Sequence, residues 1–213
     1  LVTGSTGFIG KKLIPLLSEK VEQVFILVRK ESMPKAARLF AGHSNVHLIE
    51  GNTHSNDVCS RVEDLTKLTE EVDHIIHLAG GYDLEMSVLD AYTQNVIGVQ
   101  NTLELARKLK KLKYFHHVST YAVNAYKDCE VSELEPTEDS SKLDHYARSK
   151  LQGERLVEKT NLGKVRKRIY RPGIVVGDSH TGEIEKIDGP YYFLQIIHKF
   201  RKHASWLEKL GTL

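Results

Sequence analysis

The chain has 213 residues, of which 40% are hydrophobic and 27% charged, with a formal net charge of +2. That is enough apolar material for one buried core, or one and the beginning of a second, and it excludes a low-complexity or disordered chain. The weak, dispersed positive charge excludes nucleic acid or an anionic membrane as the main partner, and no apolar run approaches the roughly 18 residues that a membrane helix needs.

The first ten residues, LVTGSTGFIG, place Gly4, Gly7 and Gly10 three apart between a short apolar run and the start of a helix. A strand end, a tight turn and a helix beginning aim several N–H groups and the positive end of a helix dipole at one point, which suits a pyrophosphate. Gly4 would allow the turn, Gly7 the approach of phosphate, and Gly10 the packing of helix on strand. The spacing is GxxGxxG rather than GxGxxG. The helix is expected over residues 8–19, with a kink at Pro15, which removes a hydrogen bond to the Lys11 carbonyl.

A second strand, VFILV, ends at Val28 and is followed by Arg29 and Lys30. Sites that prefer NAD place a carboxylate about 20 residues past the glycines, to bind the ribose 2′-hydroxyl. A guanidinium there pairs instead with a 2′-phosphate, so NADP(H) is expected, with Arg29 as the contact; Lys30 stays open. Further strands are expected at VHLIE (46–50), HIIHLAG (74–80), YFHHVST (114–120) and VRKRIYRPG (165–173), with helices over 58–68, 91–109 and 145–159. Strands alternating with helices imply parallel βαβ units, hence an α/β doubly wound parallel sheet, a Rossmann fold.

The chemistry is expected at HYARSK. Tyr146 and Lys150 lie four apart, so on a helix they share a face, and a neighbouring ammonium should lower the phenol pKa towards the range useful for general acid catalysis. The strand end HVST brings the hydroxyls of Ser119 and Thr120 to the edge of the sheet where such folds bind ligands. Alternation along a strand turns these two to opposite faces, and Thr120 is favoured. Eleven histidines invite a metal site, yet His116 and His117 point to opposite faces and no HExxH occurs, so none is expected. The stripe Tyr192, Phe193, Ile196, Ile197 and Phe200 has a helical period and is expected to be core or subunit interface. Cys59 and Cys129, without a CxxC, read as free thiols of a reducing compartment, so the cytoplasm is the default. Both ends read as cut, because the first strand is short and LEKLGTL stops a helical stretch without a terminus. Additional domains or a homo-oligomer are therefore expected in the full chain.

These motifs, TGxxGxxG at 3–10, the strand-end ST at Ser119 and Thr120, and YxxxK at 146–150, resemble the extended short-chain dehydrogenase/reductase superfamily. FHHVST, RIYRPGIVVGDSHTGEIEKIDGPYYF and HLAGGYDL are most similar to its branch of fatty acyl-CoA and fatty aldehyde reductases, the male-sterility NAD-binding type. The resemblance runs from Leu1 to about residue 210. It implies a single NADP-binding Rossmann domain over 1–213, in which 174–213 begins the substrate-binding part. It also implies that Tyr146 protonates a carbonyl, that Lys150 holds the nicotinamide ribose, and that Thr120 binds the substrate oxygen. Gly4, Thr6, Gly7, Phe8, Ile9 and Gly10 would cradle the dinucleotide. Asn52 would lie near the adenine, where many relatives carry Asp. Ala79 and Gly80 would let the cofactor pass, Pro172, Gly173 and Ile174 would border the nicotinamide, and Asn95 would stand behind the active site. The implied function is NADPH-dependent reduction of a long-chain aldehyde or acyl thioester. Two alternatives are a nucleotide-sugar epimerase or dehydratase of the same superfamily and a non-catalytic NADP-binding sensor.

Overall fold

A computed structural model of the chain describes residues 1–82, 86–124, 133, 140–184 and 190–201. It divides into two compact units, Leu1–Gly173 and Ile174–Leu213.

The first unit is a six-stranded, wholly parallel sheet. Its strands are β1 (Val2–Thr3), β2 (Val24–Val28), β3 (Val46–Glu50), β4 (His74–His77), β5 (Tyr114–Val118) and β6 (Arg166–Tyr170), in the order β3-β2-β1-β4-β5-β6. The order reverses between β1 and β4, and in such sheets the crevice outside the carboxyl ends of the strands at that point receives the ligand. Register there is set by Val2 opposite Ile26 and Ile76, and Thr3 opposite Leu27 and His77. Every residue of β2 is buried, as a central strand covered on both faces must be. β6 forms the edge and exposes Arg166, Lys167 and Arg168, charges that discourage further strand pairing.

The helices are α1 (Phe8–Ser18), α2 (Met33–Leu39), α3 (Val62–Glu71), α4 (Val88–Tyr92), α5 (Gly98–Lys108) and α6 (His145–Lys159) in the first unit, and α7 (Pro190–Arg201) in the second. On one face of the sheet Val2, Val24, Ile26, Val28 and Val46 pack with Ile14 of α1 and Ala36 of α2. On the other, Phe25, Leu27, Ile49, Ile75 and Phe115 pack under Leu68 of α3, Val99 and Leu103 of α5, and Val157 of α6.

Several elements differ from the sequence reading. The helix expected over 58–68 begins only at Val62, because Cys59 forms an antiparallel bridge with Gly51 and Asn52 N–H donates to the Val58 carbonyl. α2 was not foreseen: it is short and starts from a 3-10 turn at Lys30–Ser32. The helix expected over 91–109 is α4 and α5 joined by a π-helical turn, Thr93–Ile97. α1 continues through Pro15 to Ser18.

In the second unit Gly177 N–H donates to the Tyr191 hydroxyl, and Asp178 carboxylate accepts from the N–H groups of His180 and Thr181. Tyr192, Phe193, Ile196, Ile197 and Phe200, the apolar stripe of α7, are 50% to 72% exposed in this chain, where α7 is the only regular element among the described residues of its unit. Cys129 and the LEKLGTL stretch lie outside the described residues.

Candidate active site

The turn after β1 is built by missing side chains. Gly4 has φ of 71°, and a Cβ there would stand 2.6 Å from the Ala79 nitrogen and 2.8 Å from the Leu78 carbonyl carbon. A Cβ on Gly10 would collide with the backbone of Gly4 and Ser5, so α1 can cross the turn only without one. Gly7 N–H donates to the Gly4 carbonyl and Gly7 caps α1 with no side chain over the helix end and no acidic residue in its first turn. Among the described residues no side chain caps the positive end of α1, which fits a pyrophosphate cradle. Gly7 and Ile9 are exposed, Thr6 and Phe8 half-buried, and Ser5 is buried with its hydroxyl unpartnered among the described residues.

Arg29 and Lys30 are both exposed beyond β2, and Arg29 Nε lies 3.2 Å from the Glu31 carboxylate. Asn52, at the end of β3, spends its carboxamide oxygen on its own loop, accepting from His54 N–H at 2.9 Å. That loop packs on α5: Asn101 donates to the Thr53 carbonyl at 2.8 Å. Burial and, after it, the charge of Arg29 hold His54 below the usual histidine pKa, which places the ring in the field of that guanidinium.

After β4 the chain passes Ala79 and Gly80. A Cβ on Gly80 would stand 2.7 Å from the Asn95 carboxamide oxygen and 3.5 Å from Lys150 Nζ. Asn95, in the π turn, accepts from Gly81 N–H at 2.9 Å and donates to the Gly81 carbonyl and to Ser149 Oγ. It therefore ties the β4 loop to α6, and π turns of this kind recur at functional sites.

α6 begins at Asp144, whose side chain accepts from Ala147 N–H at 2.7 Å, while Arg148 donates to the carbonyls of Ser140, Ser141 and Leu143 and holds the incoming loop. Its inner face carries Tyr146, half-buried, then Lys150 and Glu154, buried. Thr120 Oγ1 accepts from Ala122 N–H at 3.2 Å, and the Thr120 side chain is near enough to the Tyr146 phenol to favour its ionised form. Lys150 Nζ donates to the Val118 carbonyl at 2.7 Å. Burial pushes Lys150 down to about 8, against the opposing field of Glu154. The expected depression of Tyr146 is not what the structure holds. Burial raises its pKa, the Thr120 side chain opposes the rise, and Asp144 adds to it. The ammonium of Lys150 is directed at a backbone carbonyl, so desolvation decides the sign.

Ser119 turns away from Thr120 and donates to Glu154 Oε2 at 2.7 Å; Arg171, just past β6, donates to Glu154 Oε1 from Nε at 2.7 Å and from Nη2. Neither Glu154 nor Arg171 was singled out by the sequence reading. The only signal was the i, i+4, i+8 spacing of Tyr146, Lys150 and Glu154, which an exposed helix would share. Beneath Lys150, His77 and His117 sit opposite each other on β4 and β5, stacked with ring centroids 5.6 Å apart. Burial first, then the charge of Lys150, keeps both neutral, with His77 at about 3 and His117 well below its usual value. Pro172 and Gly173 close the first unit, and Tyr121 N–H donates to the Pro172 carbonyl; Ile174 opens the second unit and is exposed.

Thr120, Tyr146, Lys150 and Gly80 thus share the carboxyl edge of the sheet with the glycine turn, while Arg29 and Asn52 lie past β2 and β3. Among the described residues no helix is long and apolar enough to cross a membrane. A family model described as Male sterility protein matches residues 2–210. Fatty acyl-CoA reductase 1 of Xenopus laevis is 30% identical over an alignment of 155 positions that covers 63% of this chain and 29% of that protein. The chain therefore spans about a third of such relatives. Among solved structures, the terminal R domain of the myxalamid PKS-NRPS biosynthetic pathway is 28% identical with a TM-score of 0.75, covering 88% of this chain and 52% of that one. UDP-glucuronic acid 4-epimerase from Bacillus cereus, in complex with NAD, is 28% identical with a TM-score of 0.63, covering 83% and 56%.

Proposed function

The chain belongs to the male sterility protein family, within the extended short-chain dehydrogenase/reductase superfamily, and from that premise we propose that it is the dinucleotide-binding part of an oxidoreductase. Its reaction is NADPH-dependent reduction of a carbonyl, that of a long-chain fatty aldehyde or a fatty acyl thioester. The observation that carries the reading is the meeting of Thr120, Tyr146 and buried Lys150 at the sheet edge, beside a helix end that no side chain among the described residues caps.

The dinucleotide would be held by the backbone of Gly4 to Gly10, by the Gly80 passage and by Lys150, with Arg29 on a 2′-phosphate. When bound, it supplies the hydride. Tyr146 gives its proton to the substrate oxygen; a raised phenol pKa keeps that proton in place at neutral pH. Thr120 holds the phenol and the substrate oxygen in register. Lys150, anchored on Val118, sets a fixed positive charge where negative charge develops. The second unit, beginning at Ile174, opens the substrate-binding part.

A panel of fatty aldehydes, acyl thioesters and nucleotide sugars, offered with NADPH to the full-length protein while absorbance is followed, tests the reading. Turnover of aldehydes or thioesters is expected. Turnover of nucleotide sugars alone would overturn it in favour of an epimerase-like enzyme, and tight NADPH binding without any turnover would favour a sensor.

A further inference from the structure

Glu154 has no solvent exposure. An isolated carboxylate in such a place costs many kcal/mol, so a buried one is normally paired or neutralised. Here both oxygens are engaged: Oε1 by Arg171 and Oε2 by the Ser119 hydroxyl. Arg171 is itself only partly exposed and spends Nη1 on the Glu133 carbonyl at 2.9 Å. One carboxylate therefore joins α6 to the ends of β5 and β6.

As a clamp this arrangement needs no charge. A buried ion pair replaced by apolar residues of similar volume is often as stable or more so, so stability alone leaves the ionised form unexplained. Its position supplies a reason. Glu154 stands one helical turn beyond Lys150, with side-chain origins roughly 5–6 Å apart, and Lys150 is buried with its ammonium on a backbone carbonyl. We infer that Glu154 is a positioning residue for the carbonyl reduction proposed above, its negative charge holding Lys150 as an ammonium in a corner whose burial would otherwise strip the proton.

Among the described residues no other group takes this role. From β4 and β5 the titratable neighbours are His77 and His117, both neutral and, if charged, opposed to the ammonium. From α6 itself there is Tyr146, a neutral phenol. α4 carries Asp90, exposed and bonded by Ser87, and α5 carries Glu104 and Arg107, paired with each other at the surface, and Lys108. β6 brings Arg166, Lys167 and Arg168, all exposed, with Lys167 donating to carbonyls at the far end of α6. Lys150 already stands at about 8 with Glu154 in place. Without that field the ammonium is lost at lower pH.

The inference rests on the reduction proposed above but is read out separately from it. In the full-length protein, the pH midpoint of Lys150 acetylation by acetic anhydride, followed by peptide mass, reports its protonation without any substrate. Glu154→Gln should lower that midpoint, and the alkaline limb of kcat for an aldehyde, by about one pH unit; Glu154→Asp should restore both. Arg171→Met leaves the buried carboxylate without its cation and so favours its protonation; it should lower the midpoint in the same direction as Glu154→Gln and by less, while Arg171→Lys, which keeps a cation on Glu154, should restore it. Structural damage is not undone by variants that only conserve charge. Unmoved midpoints, or shifts that Glu154→Asp and Arg171→Lys fail to restore, overturn the inference, and the two Arg171 variants decide alone if Glu154→Gln does not fold. Absence of aldehyde turnover in the wild type defeats the reaction reading while the labelling midpoints still judge the charge.

Discussion

The two faces of the sheet are built on different rules. Under α1 and α2 the buried side chains form a cluster of Val2, Ile14, Val24, Ile26, Val28, Ala36, Phe40 and Val46 that runs up to the glycine turn. Under α5 and α6 an apolar layer of Ile75, Phe115, Leu103 and Val157 gives way, towards the carboxyl ends of the strands, to Thr3, His77, His117, Ser119, Lys150 and Glu154. The first face is apolar up to the backbone of the glycine turn. The second gives up apolar burial to place charges and hydroxyls at the edge where the proposed reaction would occur.

The largest effect that tests this contrast belongs to the second face. Tyr146→Phe removes the proposed proton donor and should lower kcat by about 100-fold to 10,000-fold, while NADPH affinity, measured by fluorescence titration, stays within a few-fold. An equal fall in affinity would mean that the phenol binds rather than reacts. On the first face, Ile14→Ala deletes a fully buried side chain and should cost about 2–5 kcal/mol in denaturant unfolding, with kcat unchanged for the folded fraction. Were kcat to fall as well, stability and chemistry would not be divided between the faces.

Acid should act through the second face. The unfolded chain takes up a proton at its histidines near pH 6.5, while folded His77 resists until about 3 and His117 until well below its usual value. Depressed folded values mean that this stability is present above about pH 6.5 and is lost as pH falls towards 3, at roughly 1.4 kcal/mol per pH unit for each histidine. Urea midpoints measured between pH 7 and pH 5 should therefore decline less steeply in His77→Leu than in wild type; parallel curves would show that the ring is not held neutral.

Arg29→Ala should weaken NADPH about tenfold and NADH hardly at all, the size of one charge-assisted bond at an exposed position. Equal losses would remove the 2′-phosphate contact. Smallest of all, His117→Leu should leave stability within about 1 kcal/mol or raise it, because neither ring nitrogen of His117 has a hydrogen-bond partner among the described residues. A loss of several kcal/mol would show that the imidazole is satisfied after all and that the polar layer contributes to folding.

What the amino-acid sequence determined is local. The glycine triplet predicts a strand, a turn and a helix because Gly4 must take a positive φ and a Cβ at Gly10 would meet the backbone of Gly4 and Ser5, constraints that need only a few neighbouring residues. The runs VFILV and VHLIE are strands as their apolar pattern requires, and His145–Lys159 is the helix that its periodicity indicates. Where signals were weak or competed with tertiary bonds, the reading slipped. Val58 and Cys59 look helical, but Cys59 is taken into a bridge with Gly51 and the Val58 carbonyl accepts from Asn52 N–H. The apolar stripe of α7 has a core-like period, yet burial depends on what packs against it and not on the period.

Tertiary structure alone decided the charges. No spacing says that Glu154 is buried between Ser119 and Arg171, which lie 35 and 17 residues away in the chain. No motif says that Lys150 is anchored on the Val118 carbonyl, or that Tyr146 is raised rather than lowered. A side chain's type sets which charge it can carry; the dielectric and the partners that decide whether it does are assembled only when β4, β5, β6 and α6 come together.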